Sequence, residues 1–243
     1  MGNPKVTFHV DREFDIWKIN EFLNKEWQQD YFRKKIFGVH PDLKIVINLS
    51  KEEREKEITK YINKLYDSFG NALIKKSKRM QKDWDKISGS FFKITNNIFR
   101  DTPWPEGEYK AILSVSLPYP RFLDKKIFQV DLGNDDHWKV ITAHEMIHFI
   151  FFEYVRRKYL PKFKRTIEKE MNKKLHNKFK VPLWDLSEVH DVILLNSEEY
   201  QKLFSIKTNP YPEHKDYYKK CLRIWKDVDA DIDKFFERIE KQT

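Results

Sequence analysis

Residues 141–152, ITAHEMIHFIFF, form an apolar run broken by only three ionisable side chains, His144, Glu145 and His148. No other segment constrains the fold as much. Two residues four apart on a helix lie on one face, one turn apart, so this spacing sets the two imidazoles side by side. Ile141 lies three residues before His144, and Phe151 and Val155 three and seven after His148, which turns that face toward a core. Met146, Ile147, Phe149 and Ile150 make the rest of the helix too apolar for a surface. Unpaired polar groups are costly in such a place, so the three side chains need partners. They are either a hydrogen-bonded patch or the core of a metal site.

A single cysteine, Cys221, rules out an internal disulfide and a Cys-rich metal site, so a metal here must be held by histidine and carboxylate. Zinc on two imidazoles brings the pKa of its remaining water toward about 7, and Glu145, offset around the helix, can take that water's proton. Such a site needs a third protein ligand. Glu188 is the expected one, because residues 184–195, WDLSEVHDVILL, form a helix too apolar to bury an acid without a partner. His190, Glu168, Glu170 and His176 are the competing ligands. Asp191, one turn after Glu188, is placed to accept a hydrogen bond from a ligand histidine. His214 is the candidate donor to a developing oxyanion, with Tyr200, Tyr217 and Tyr218 as alternatives.

The His144-Glu145-Met146-Ile147-His148 segment resembles that of the zincin metallopeptidases. Metzincins continue as His-x-x-Gly-x-x-His, but Phe151 and Tyr154 stand at the corresponding positions. The chain instead resembles the gluzincins, whose downstream glutamate completes a two-His, one-Glu zinc site. That resemblance implies Zn2+ on His144, His148 and Glu188, Glu145 as the base, and a peptide or protein substrate. In gluzincins a comparable acid often follows the glutamate by four residues, whereas Asp191 follows Glu188 by three. The implied fold is α+β and helix-dominated, a zincin-like fold with a small, mostly antiparallel sheet and long flanking helices. The strand before the motif helix, residues 126–130 or 111–117, would be an edge that lines the cleft.

Period-two alternation of Val6, Phe8 and Val10 predicts a strand over residues 5–11, followed by a helix over 14–26. Ser50 with Glu53 is a capping-box signature. Ile58, Tyr61, Ile62, Leu65, Phe69 and Leu73 then recur at helical spacing, so a long helix is expected from residue 51 toward 86, with a possible break near Gly70. Ser88-Gly89-Ser90 is expected to interrupt the pattern. Residues 101–107, with two prolines around Trp104, read as a loop, either a lid or a linker. Strands are expected at 109–117 and 126–130, joined by a turn with Pro118 and Pro120, then a loop at 131–136 and a helix over 137–159. Residues 161–180 are basic and helical in pattern, and the tail after Pro212 reads as one helix to residue 241. Residues 1–100 are expected to form a mostly helical N-terminal part packed on the core and residues 101–243 a zincin-like catalytic part, as two parts or one continuous domain.

The chain is 40% hydrophobic and 15% aromatic over 243 residues, enough for a sizeable core. No stretch reaches the roughly 18–20 apolar residues of a membrane span. The N-terminal residues lack a secretory pattern, and Val6 stands where myristoylation needs Ser or Thr, so a cytoplasmic protein without membrane partner is expected. Net charge is +9, but lysines alternate with glutamates rather than clustering, so nucleic-acid binding is not expected. Two rival classes stand beside the hydrolase: a catalytically inactive zincin-fold binding module, and a basic nucleic-acid-binding protein.

Overall fold

A computed structural model describes residues 3–24, 29–116, 119–132, 136–164 and 166–241. Helix dominates, around one four-stranded mixed sheet. Strand β1 (Val6–Val10) buries Val6 and Phe8 and turns His9 outward, as the alternation predicts. Helices α1 (Arg12–Asn24), α2 (Gln29–Val39) and α3 (Lys51–Ile98) follow, with a 3-10 segment at Pro41–Asn48 between the last two. The sheet resumes with β2 (Tyr109–Leu113), β3 (Arg121–Phe122) and β4 (Ile127–Val130).

The strand order is β1-β2-β4-β3. β1 pairs with β2 and β2 with β4 in parallel, and only β3 with β4 is antiparallel. The sheet is therefore not mostly antiparallel. Parallel neighbours need a long crossover, and α1–α3 supply it between β1 and β2, while β3 occupies the outer position and lets β4 return parallel to β2. The edges are β1 and β3. Neither segment supplies the expected edge, because the strands that form there, β2 to Leu113 and β4 over Ile127–Val130, lie inside the sheet. β2 stops at Leu113 because Ser114–Ser116 turn into a polar network; Leu117 and Pro118 lie outside the described residues.

That network ties α1 to the end of β2. Asp15 accepts from Ser114 Oγ (2.6 Å), Tyr66 Oη (2.9 Å), Gln129 Nε2 (3.0 Å) and the Val115 amide (3.1 Å). Lys18 Nζ, 3.3 Å from Asp15, donates to Ser114 Oγ and to the Ser116 carbonyl. A buried ion pair holds only when its remaining valences are satisfied, and these bonds satisfy them.

The capping box forms as predicted: Ser50 Oγ accepts from the Glu53 amide and Glu53 Oε2 from the Ser50 amide. α3 then runs without interruption through Gly70 and through Ser88-Gly89-Ser90 to Ile98, 48 residues. The expected breaks are absent because Ile62, Tyr66, Leu73, Ser77, Met80, Trp84, Phe91 and Thr95 keep a buried helical stripe on both sides of them. Burying those side chains outweighs about 1 kcal/mol per glycine. Two apolar clusters result. α1, α2, the 3-10 segment and the first half of α3 enclose the smaller, and the second half of α3, the sheet and the C-terminal helices enclose the larger.

Helix α4 (His137–Tyr159) has the predicted bounds. Among the described residues of the basic stretch 161–180, α5 (Glu168–Phe179) is the helical part. α6 (Leu183–Leu195) follows, then a short α7 (Glu198–Phe204) that the sequence pattern did not single out. The tail is not one helix. After the 3-10 turn Pro212–His214, α8 (Lys215–Asp227) ends where Asp229 and Ala230 take positive φ, and α9 (Ile232–Lys241) begins on Asp231, whose carboxylate caps the Asp233 and Lys234 amides. Among the described residues no helix is long and apolar enough to cross a membrane.

Candidate metal centre

α4 is buried nearly all round from Thr142 to Val155, the pattern of a core helix. His144 and His148 present Nε2 atoms 3.0 Å apart. α6, buried from Leu186 to Leu195, brings two acids against them. Glu188 straddles the pair, its Oε2 3.2 Å from His144 Nε2 and its Oε1 3.2 Å from His148 Nε2. Asp191 Oδ2 lies 3.1 Å from His148 Nε2 and 3.9 Å from His144 Nδ1. It is therefore on the donor side of His148 rather than behind it, and too far from His144 Nδ1 for a hydrogen bond.

The donor set suits a metal ion. Four bonds of about 2.0–2.1 Å in a tetrahedron place ligand atoms about 3.3 Å apart; the nearest pairs here are 3.0 to 3.2 Å apart, with Glu188 meeting the two histidines through different oxygens, and the His144, His148 and Asp191 donors all lie within 4.8 Å of one another. Both Asp191 oxygens are buried without a hydrogen-bond partner. Asp191 lies near His148, but not in hydrogen-bonding geometry. Unsatisfied buried polar atoms are rare and costly, and a cation shared by these donors would offset that cost. The cluster His144, His148 and Asp191 can hold a metal ion.

Burial pushes the Asp191 carboxyl well up, and pushes Glu145 up against the pull of Arg121. Burial is the largest single influence on His144 and would lower it, but Glu188, Asp191 and Glu145 together raise the imidazole to about 9. Glu188 is itself held far below the carboxylate range by the two histidines, despite its burial.

Glu145 Oε2 accepts from Arg121 at 3.1 Å. Arg121 is the residue the sequence reading missed. It projects from β3 with 8% of its side chain exposed, and its guanidinium also lies 3.9 Å from Glu188 and 3.9 Å from Glu168. A lone arginine in YPRFL carries no periodic signal; only the sheet's edge position brings it here.

A cleft of about 470 Å³ opens on the cluster, lined among others by His144, Glu145, Glu188, Tyr119, Val140 and Tyr211. The other sequence candidates lie elsewhere. His190 sits in an aromatic cage, 5.2–5.8 Å between ring centroids from Phe99, Phe151, Trp225 and Phe235, and burial lowers it to about 3. Glu170 and His176 are exposed on α5, and Glu168 reaches Arg121 rather than the histidines. His214 packs on Trp184 and Tyr211 with Nε2 3.5 Å from Asp185, one turn before Glu188 and outside the cleft lining. Tyr200 bonds Thr95 in the core, and Tyr217 and Tyr218 lie on α8, also outside that lining. Tyr119 and Tyr211 take the cleft positions instead. Residues 101–107 line a separate hollow, with Trp104 stacked edge-on against Phe92 and bonded to Asn96, so they tie down the end of α3 and do not cover the cleft.

Comparison of the chain with protein-family models, curated proteins and solved structures gave no match. The fold and the site define a helix-dominated α+β protein with a buried His-carboxylate cluster able to hold a metal ion.

Proposed function

We propose that this chain is a zinc-dependent hydrolase, a metallopeptidase of gluzincin type, with His144, His148 and Glu188 as metal ligands and Glu145 as the base. One observation carries the reading: histidine and carboxylate donors from α4 and α6 converge at 3.0 to 3.2 Å beside a glutamate that faces the same cleft. Zinc in such a site acts as a Lewis acid on a carbonyl and makes water acidic enough to lose a proton near neutral pH. Glu145 accepts the proton of the attacking water on its carboxylate and passes it to the leaving amine nitrogen. Arg121 fixes the Glu145 carboxylate through its Nη1–Oε2 hydrogen bond. Val140, Ile141 and Val192 give the cleft apolar walls for a peptide chain.

Glu145→Gln tests this. Metal content stays at the wild-type level, because Glu145 is not a ligand, and turnover of a peptide substrate falls roughly a hundred- to ten-thousand-fold. Cleavage at the wild-type rate by that variant contradicts the mechanism.

Asp191 supports a second reading. As a fourth protein donor it would close the site, as in structural zinc centres, and the protein would be a metal-stabilised binding module. Normal metal content with no turnover in the wild type favours that module.

A further inference from the structure

We infer that Arg121 is a built-in competitor of the metal, a fixed cation that holds the acids of the centre together when no metal is bound and weakens the site's grip when one is. The inference rests on the metal-site reading and adds a residue that sets its affinity.

Arg121 gathers three acids from three helices. Its Nη1 lies 3.1 Å from Glu145 Oε2 on α4 and 3.9 Å from Glu188 Oε1 on α6, and its Nη2 lies 3.9 Å from Glu168 Oε2 on α5. Glu145 is about as buried as Arg121, and Glu188 slightly more so. No other lysine or arginine forms an ion pair with Glu145, Glu188 or Asp191 among the described residues. A guanidinium cannot shed its proton in a protein, so this charge persists whatever the occupancy of the site.

Glu188 is the shared partner. The oxygen that faces Arg121, Oε1, is also the one 3.2 Å from His148 Nε2. A dication drawn to His148 and Glu188 therefore meets a like charge across one carboxylate, at a distance where charges in a partly buried site interact strongly. Neutralising Arg121 should have two effects of opposite sign. Buried carboxylates left without their cation destabilise the metal-free fold. The same carboxylates, more negative and free of the repelling charge, bind a divalent ion more tightly. A residue that only supported the local packing would move both quantities in the same direction, since a loosened site binds metal less well.

The experiment uses the full chain, stripped with a chelator and titrated with Zn2+ against a competing indicator, and compares wild type, Arg121→Met and Arg121→Lys at one pH. Thermal midpoints of the metal-free proteins are measured in parallel. Arg121→Met should lower the metal-free midpoint by several degrees and bind zinc about tenfold more tightly or better, while Arg121→Lys, which keeps the charge, stays nearer wild type in both. Zinc affinity that is unchanged or weaker in a folded Arg121→Met protein overturns the inference and leaves the metal site standing. Should Arg121→Met fail to fold without metal, Arg121→Lys and Arg121→Gln supply the same comparison: the neutral variant must bind zinc more tightly than the charged one. A wild type that binds no zinc overturns the inference together with the metal-site reading.

Discussion

Lys18 and Asp15 face each other at 3.3 Å with neither side chain exposed. Burial lowers Lys18 from 10.5 to about 8, with Asp15 acting against the shift. Between pH 8 and 10.5 the unfolded chain holds a proton that the folded protein has released, so this group makes stability rise with pH across that window. Below pH 8 both states hold the proton and the burial cost is fully present. Lys18→Met removes that rise and leaves the Asp15 carboxylate without its cation, a loss of about 3–5 kcal/mol at pH 7. Chemical denaturation at pH 7 to 10.5 checks both statements; equal pH slopes in the two proteins contradict the first. The residues of the centre differ in how legible they were. His144, Glu145 and His148 follow from one helix's period, and Glu188 from being an acid in an apolar helix. The same reasoning placed Asp191 behind a histidine, but its three-residue offset from Glu188 turns it to the donor side. Arg121 had no local signal, because its place depends on which strand ends at the sheet's edge.

At the scale of elements, periodicity located most helices and strands, while their ends and pairings came from contacts distant in sequence. α3 shows why. Glycine and serine at 88–90 argue locally for a stop, yet the buried stripe from Leu73 to Thr95 carries the helix past them. A methyl group at Gly70 or Gly89 would meet nothing within 4 Å. Each of Gly70→Ala and Gly89→Ala should therefore stabilise the protein by roughly 0.5–1 kcal/mol, read as a higher denaturation midpoint at unchanged slope; a lower midpoint contradicts an unbroken helix. The sheet's direction was misjudged for a related reason. Strand alternation does not encode parallel or antiparallel pairing, which was decided by the crossover through α1–α3 and by the position of β3.

For the whole molecule, two apolar clusters joined by α3 and the Asp15–Lys18 network fix the sheet, and the sheet's edge carries Arg121 to a cluster built by α4 and α6. The helix-dominated α+β class was legible from the sequence. The cleft walls were not, since Tyr119, Val192 and Tyr211 come together only in the folded chain. The central claim is that this cluster is a metal centre with Glu188 as a ligand and His190 outside it. The direct test is metal content, after exposure to zinc and removal of excess, of wild type, Glu188→Ala and His190→Phe, whose ring fills the same aromatic cage. The account predicts about one zinc per chain in the wild type and in His190→Phe, and loss of most of it in Glu188→Ala. A folded wild type that retains no zinc, or a His190→Phe protein that loses it, contradicts the account.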